Sequence, residues 1–134
     1  MTIEYGFEPD LSAHEFHDVL VASTLGARRP VNDLERLDKM LRRADIIATA
    51  RLSNRLIGVS RALTDFAYCC YLSDLAVDVA FQRQGIGKNL IENTHARAGD
   101  CAKLVLLAAP EARSYYPHIG MKNAPSCWII DRSR

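Results

Sequence analysis

Two glycines near the middle of the chain stand where an anion could bind. Gly85 and Gly87 lie between an apolar run typical of a strand and a helical apolar pattern. A glycine turn at the start of a helix can aim several backbone N–H groups at one anion, and the helix dipole adds to the attraction. Neighbouring side chains can add donors, namely Gln82, Arg83 and Lys88. The segment therefore predicts a phosphate site.

Two common phosphate-binding motifs fit this segment poorly. The chain has no G-x-x-x-x-G-K-[ST] sequence, and Leu90 replaces the third glycine of G-x-G-x-x-G. The sequence thus favours neither a nucleotide hydrolase nor a dinucleotide-binding protein. The two glycines alone would justify little more than a helix start that holds no ligand.

The residues around the loop extend the pattern in both directions. Leu75-Ala76-Val77 precedes Gln82-x-x-Gly85-x-Gly87, and Ala112-x-x-x-Tyr116-x-x-x-Gly120 follows it. The first two together resemble the acetyl-CoA signature of the GNAT superfamily of N-acyltransferases, and the third resembles the family's final helix and turn. The predicted order of elements is similar over nearly the whole chain, although its first third has no recognisable motif.

The resemblance implies where acetyl-CoA would bind. In this family the strand that matches Tyr71 to Val79 carries a bulge and diverges from the next strand, which leaves a wedge for pantetheine. The N–H groups around Gln84 to Lys88 would receive the diphosphate. The residues that the resemblance assigns to acetyl-CoA are Leu75, Ala76, Val77, Gln82, Arg83, Gln84, Gly85, Ile86, Gly87 and Lys88.

The resemblance also implies a reaction, in which a primary amine of a small molecule or peptide attacks acetyl-CoA directly in a ternary complex, without a metal. Tyr116 matches the family's general acid. A tyrosine pKa of about 10 lies above a thiol pKa of about 8.5, so the phenol stays protonated at neutral pH and can still donate to the departing sulfur. For the base, Asp74 is the first choice, with Glu111 or ordered water as alternatives.

Two alternatives stay open from the sequence. The chain could be a catalytically silent acyl-CoA-binding sensor or regulatory module that keeps the diphosphate loop. The pair Arg28-Arg29 falls in the loop between the first two predicted helices, which often borders the acceptor site in this family. That pair could select an acidic substrate, or it could simply be solvated.

Composition limits the class of protein. The chain has 134 residues, 49% of them hydrophobic and 25% charged, which is typical of one folded domain spanning residues 1–134. The net charge of +1 provides no field that would attract nucleic acid or a membrane. The beginning of the chain lacks a signal-peptide pattern, so we expect a cytoplasmic protein. The four cysteines lack zinc-site spacing, and a homodimer is one possible assembly.

The elements that must position these residues follow from hydrophobic periodicity. Strands are expected at Ile3 to Phe7, in a hairpin around Ser53-Asn54-Arg55, and at Tyr71 to Val79, Lys103 to Ala109 and Cys127 to Ile130. Helices are expected after Pro9, after Asn32 or Asp33, and from Gly85 to Gly99. The predicted fold class is mixed α/β: a twisted sheet, antiparallel in its first half, with helices on both faces. The resemblance to the GNAT family implies in addition two diverging central strands that hold CoA.

Overall fold

The computed structural model describes residues 2–133, in which a five-stranded sheet is flanked by helices. The strands lie side by side in chain order. Short 3-10 turns occur at Leu25–Arg28, Val79–Phe81 and Pro110–Ala112. The elements are β1 (Ile3–Phe7), α1 (Ala13–Ala22), α2 (Leu34–Arg42), β2 (Ile46–Leu52), β3 (Arg55–Thr64), β4 (Cys69–Val77), α3 (Ile86–Ala98), β5 (Lys103–Leu106) and α4 (Tyr115–His118).

The first four strands pair antiparallel and β5 joins β4 in parallel, as a mixed sheet requires. The predicted hairpin is confirmed, because β2 and β3 are joined by Ser53 and Asn54, whose φ angles are 48° and 69°. Two-residue hairpins need left-handed backbone at such positions, and asparagine tolerates it better than most residues.

Helices cover both faces of the sheet, which confirms the predicted layers. Side chains alternate along a strand, so neighbours on β2 enter different cores. Ile47 packs in the core that holds Leu20 of α1 and Leu37 of α2. Ala48 packs on the opposite face, in the core that holds Leu90 of α3. The sheet therefore separates the α1 and α2 side from the α3 side.

Strands β4 and β5 diverge part of the way along their length. They pair only from Cys69 to Leu72 on β4, whereas β4 continues to Val77. Against β3 the register shifts near this point: Ala62 faces Leu72 and Arg61 faces Asp74, so the residue between them bulges. The second half of β4 consequently has one free edge. This geometry confirms the diverging strand pair.

Some predicted boundaries were wrong. Strand β4 begins and ends two residues earlier than predicted, because Val79 enters a 3-10 turn in which the N–H of Ala80 donates to the Asp78 carboxylate. Strand β5 stops at Leu106, and the final helix is limited to Tyr115–His118. The segment Cys127 to Ile130, which was predicted as a strand, does not form one. An apolar run forms a strand only where another strand supplies hydrogen bonds, and the described chain supplies none there.

Candidate functional site

A cleft of about 860 Å³ lies beside the half of β4 that has no partner on the β5 side. Strand β4 contributes Leu75 and Val77, while the start of α3 and the loop before it form a second wall. The region from Glu111 to Ile119 forms a third wall. Many of the predicted site residues meet here: Leu75, Val77, Gln82, Arg83, Gly85, Ile86, Gly87, Lys88 and Tyr116.

The backbone of β4 points polar groups that do not bond to β3 toward this cleft. In an antiparallel pair, residues alternate between those that bond to the partner strand and those whose N–H and C=O groups point away from it. Asp78 bonds to Ile57 of β3 through its N–H at 2.8 Å. By this alternation the amide groups of Val77 and Leu75 point away from β3, toward the open edge. An extended ligand chain could pair with them.

The loop before α3 presents N–H groups and positive charge to the cleft. Arg83 and Gly85 both have left-handed backbone, with φ angles of 65° and 82°, which turns the chain sharply into the helix. Gly85 occupies the N-cap position and provides no side-chain cap, and the first turn of α3 carries no acidic residue. The cations Arg83 and Lys88 line the same cleft. This donor set fits a diphosphate.

Three other predicted residues do not offer their side chains freely to the cleft. The Gln82 amide donates to the carbonyl oxygen of Val77 at 3.0 Å and so holds the loop against β4. Ala76 is buried on the opposite face of the sheet, in the core under α1 and α2. Gln84 is exposed and lies outside the cleft lining. Gln84 can contribute only its backbone N–H, whereas the amide groups of Ala76 point toward β3 by the same alternation and do not reach the cleft.

Tyr116 lies in the cleft in a partly buried position. Its ring contacts that of Tyr115 edge-on, with centroids 5.3 Å apart and an interplanar angle of 76°. Burial raises the pKa of Tyr116 above its usual value of 10, and the neighbouring Tyr115 adds a smaller effect in the same direction. The phenol therefore holds its proton at neutral pH, which is the form that a general acid requires.

Tyr115 also lines the cleft, and nothing in the sequence pattern had assigned it a role beyond packing. Its hydroxyl lies against Gly87 at the start of α3. Burial, the larger effect, raises the pKa of Tyr115, and the nearby backbone N–H of Lys88 partly opposes the rise. Because 28 positions separate Tyr115 from Gly87, no local spacing signals the contact.

Asp74 lies on the other face of β4, away from the cleft. Its side chain is fully buried, with one carboxylate oxygen bonded to Arg29 and the other to Arg61. Both arginines also bond to Ser73, Arg29 to its carbonyl oxygen at 2.7 Å and Arg61 to its hydroxyl at 3.0 Å. A base needs a free oxygen that reaches the amine, so this geometry suits an anchor better than a base.

The same cluster settles how Arg29 is placed. The alternative in which Arg28 and Arg29 are only solvated is wrong for Arg29, whose side chain is 22% exposed and turns inward to the sheet. Its guanidinium also bonds to the carbonyl oxygen of Arg28 at 2.8 Å. The loop after α1 is thereby attached to the bulge of β4.

Within residues 2–133, no three side chains of histidine, cysteine, aspartate or glutamate are grouped so that they could hold a metal ion. None of the helices in that range has the length and apolar character of a membrane span.

Known proteins share both the sequence pattern and the fold. The family model for the acetyltransferase (GNAT) domain matches residues 21–126. A soybean (Glycine max) protein named histone acetyltransferase TAP1 is 34% identical over 73 residues, which are 53% of this chain and 32% of the soybean protein. The chain thus spans about a third of the length of that relative.

Solved structures of acetyltransferases share this fold. A probable acetyltransferase of unknown function, SA2161 from meticillin-resistant Staphylococcus aureus, superposes with a TM-score of 0.82 and 18% identity, over 99% of this chain and 100% of that one. The aminoglycoside N-acetyltransferase AAC(6')-Iy, solved in complex with CoA, superposes with a TM-score of 0.73 and 17% identity, over 99% of this chain and 96% of that one. With the family model matched over most of its length, this chain belongs to the GNAT acetyltransferase family.

Proposed function

We propose that this acetyltransferase moves an acetyl group from acetyl-CoA to a primary amine of a small molecule or peptide, by direct attack in a ternary complex. One observation carries the proposal: the uncapped start of α3 and the protonated phenol of Tyr116 line the same cleft. The first is suited to bind a diphosphate and the second to donate a proton.

Acetyl-CoA would supply the activated thioester. The backbone N–H groups from Gln84 to Lys88 would bind its diphosphate, helped by the charges of Arg83 and Lys88. The outward-pointing amide groups of Leu75 and Val77 would align the chain that leads to the thioester, and one of those N–H groups would polarise its carbonyl. Three further residues would support these groups. Ala76 holds β4 in place through its backbone and its packing under α1 and α2, and Ile86 packs in the core beneath α3. The Gln82 amide holds the loop by its bond to the Val77 carbonyl oxygen.

Tyr116 would donate its proton to the departing sulfur. Its raised pKa keeps the proton in place at neutral pH until negative charge develops beside it. For the opposite step, the loss of a proton from the amine, we favour water with Glu111 over Asp74. Glu111 is exposed and lines the cleft with Tyr116, whereas both oxygens of Asp74 are held by arginines.

The acceptor amine is proposed only as a class. The relatives' names point to different acceptors, histones for the soybean protein and aminoglycosides for AAC(6')-Iy. Both acceptors carry amines, which is why we retain a small-molecule or peptide amine. A cytoplasmic location likewise stays a prediction from the sequence.

Isotope transfer tests this function. The chain is incubated with labelled acetyl-CoA and a panel of amines, peptides and cell extract, and mass spectrometry identifies which molecule acquires the label. Calorimetry measures CoA binding in parallel. Label on an amine nitrogen supports the proposal. CoA binding without transfer to any acceptor would instead favour the silent acyl-CoA-binding module, and absence of CoA binding would contradict both.

A further inference from the structure

Tyr115 places its hydroxyl over the open start of α3. The oxygen lies 2.8 Å from the position that a Cβ atom would take on Gly87. Cα–Cβ bonds tilt toward the N-terminus of a helix, so this position lies over the first turn, where backbone N–H groups have no partner within the helix. Gly85, at the N-cap, supplies no side-chain cap to those groups. The phenol oxygen of Tyr115 therefore stands where a capping oxygen or a bound anion would stand.

The surroundings of this oxygen favour negative charge. Burial, the largest effect, raises the pKa of Tyr115, whereas the backbone N–H of Lys88 opposes the rise, so this N–H group favours an anionic oxygen. The cations Arg83 and Lys88 line the same cleft, and the first turn of α3 has no acidic residue. At neutral pH the phenol is uncharged, whereas a diphosphate carries several negative charges. A diphosphate is therefore the stronger occupant of this position.

The wall that carries Tyr115 has few attachments to the rest of the fold. It is the third wall of the cleft, Glu111 to Ile119, and neither the 3-10 turn at its start nor α4 has a buried residue. Within the described chain, its backbone hydrogen bonds join residues that are close in sequence, as from the N–H of Met121 to the carbonyl oxygen of Tyr116 at 3.0 Å. Segments with few buried side chains and only local hydrogen bonds move at low cost.

We infer that Tyr115 is a positioning residue that links the diphosphate site to the acid. In the free chain its hydroxyl occupies the anion position at the start of α3, and the arriving diphosphate displaces it. Tyr116 is the next residue on the same short helix, and the two rings are in edge-on contact. The displacement therefore moves both tyrosines and sets the position of the Tyr116 phenol. This inference rests on the proposed function.

Fluorine NMR tests the displacement without measuring turnover. The five tyrosines are replaced by 3-fluorotyrosine, and single phenylalanine variants assign the resonances of Tyr115, Tyr116 and Tyr68. Inorganic pyrophosphate or CoA is then titrated. We expect the resonances of Tyr115 and Tyr116 to shift with one midpoint, while that of Tyr68, which is 79% exposed, stays in place. In Tyr115→Phe the shift of Tyr116 should be smaller. Binding of pyrophosphate that leaves the Tyr115 resonance unchanged would overturn the inference.

The affinity for the donor tests the same displacement. Tyr115→Phe keeps the ring and removes the oxygen that the diphosphate must displace. The variant should bind CoA about fivefold more tightly, which corresponds to one ordinary hydrogen bond. It should bind acetyl-pantetheine, which lacks the diphosphate, as well as the unaltered chain does. Calorimetry measures both affinities, with Tyr68→Phe as the control. A loosened wall would change both affinities alike, and an unchanged or weaker affinity for CoA would contradict the displacement.

Turnover from acetyl-pantetheine tests the link to the acid. Without a diphosphate the hydroxyl stays on α3, so the unaltered chain should use this donor slowly even at saturation. Added pyrophosphate should raise that rate at least about tenfold, because a positioned general acid contributes about a hundredfold or more. Tyr115→Phe should be faster without pyrophosphate and gain little from it. Equal responses of the two proteins would exclude control of Tyr116 by the hydroxyl.

These outcomes separate the inference from the proposed function. If the unaltered chain binds neither CoA nor pyrophosphate, both are contradicted. If CoA binds and acetyl transfer occurs while the resonances of Tyr115 and Tyr116 do not respond, the proposed function stands and the positioning role of Tyr115 is wrong.

Discussion

The hydroxyl oxygen of Tyr115 lies 2.8 Å from the position that a Cβ atom would take on Gly87. Real Cβ atoms are essentially never this close to another heavy atom, so any side chain at 87 requires the Tyr115 hydroxyl, the far end of a flexible side chain, to move. The next ring atoms lie 3.5 and 3.8 Å away, which is ordinary contact. Only the hydroxyl creates the restriction, and it lies beside the N–H groups that we assign to the diphosphate.

Gly87→Ala should therefore have opposite effects in two backgrounds. Alanine has the higher helix propensity by up to about 1 kcal/mol, but beside Tyr115 it must displace the hydroxyl from its position against residue 87. In Tyr115→Phe the same alanine meets only ordinary contacts and should stabilise α3. Denaturant unfolding of the four proteins should give a coupling energy of about 1 kcal/mol. Equal effects of alanine in both backgrounds would show that the hydroxyl imposes no restriction.

Tyr116→Phe should bind CoA nearly as well as the unaltered chain and lose turnover by about a hundredfold or more. The ring and its contact with Tyr115 remain, and only the proton donor is removed. Calorimetry with CoA and rates with an acceptor found by isotope transfer measure the two effects. Tyr68→Phe is the matched control, since Tyr68 is 79% exposed. Undiminished turnover in Tyr116→Phe would exclude Tyr116 as the acid.

The pH dependence of turnover should report the protonation of the Tyr116 phenol. Burial raises the pKa of Tyr116 above 10, so the donor form is complete at neutral pH and is lost only as the pH rises through that raised value. Turnover of the unaltered chain should fall on this alkaline side. The residual rate of Tyr116→Phe should lack the fall, and an identical alkaline limb in both proteins would assign it to another group.

Asp74→Asn should lower the free energy of unfolding by about 3 kcal/mol, because breaking a buried ion pair leaves charge uncompensated. Here two guanidiniums, of Arg29 and Arg61, lose their anionic partner. Urea denaturation measures the loss, and Asp100→Asn on the surface is the control. If Asp74 is an anchor, the folded variant keeps measurable turnover at low temperature. A stable Asp74→Asn protein without turnover would restore Asp74 as the base.

Glu8 should make the free energy of unfolding depend on pH in the acid range. Its carboxylate bonds to the guanidinium of Arg51 at 2.7 and 2.8 Å, and chiefly for this reason folding lowers the pKa of Glu8 below its usual 4.5. The unfolded chain then binds the proton more readily than the folded chain. The stabilisation is present above pH 4.5 and is lost as the pH falls through the lowered value.

Glu8→Gln should accordingly destabilise the protein at neutral pH by about 1–2 kcal/mol and flatten the decline in acid. Unfolding measured at several pH values tests both effects. Glu4→Gln, at an exposed position on β1, the strand that ends just before Glu8, should change neither. If the stability of Glu8→Gln and of the unaltered chain fell equally as the pH is lowered, other carboxyl groups would be responsible for the fall.

The site shows which kinds of contact a sequence reveals. The loop from Gln82 to Lys88 was recognisable because all of its donors come from consecutive residues, whose conformation is set locally by glycine and by the helix start. Asp74 was taken for a base because it stands next to Leu75 in the chain. The alternation of β4 turns its side chain to the other face, where Arg29 and Arg61 hold it.

The sequence by itself indicated the glycine loop before α3, the place of Tyr116 in the final helix and most of the sheet, since these depend on local periodicity and on a contiguous motif. Only the tertiary structure decided which residues share the cleft and which anchor the loop after α1, because strand pairing and ion pairs join residues far apart in the chain. The same reason explains the missing strand at Cys127 to Ile130. Its composition was evident from the sequence, but a strand also needs an edge, and the described fold leaves that of β5 unfilled.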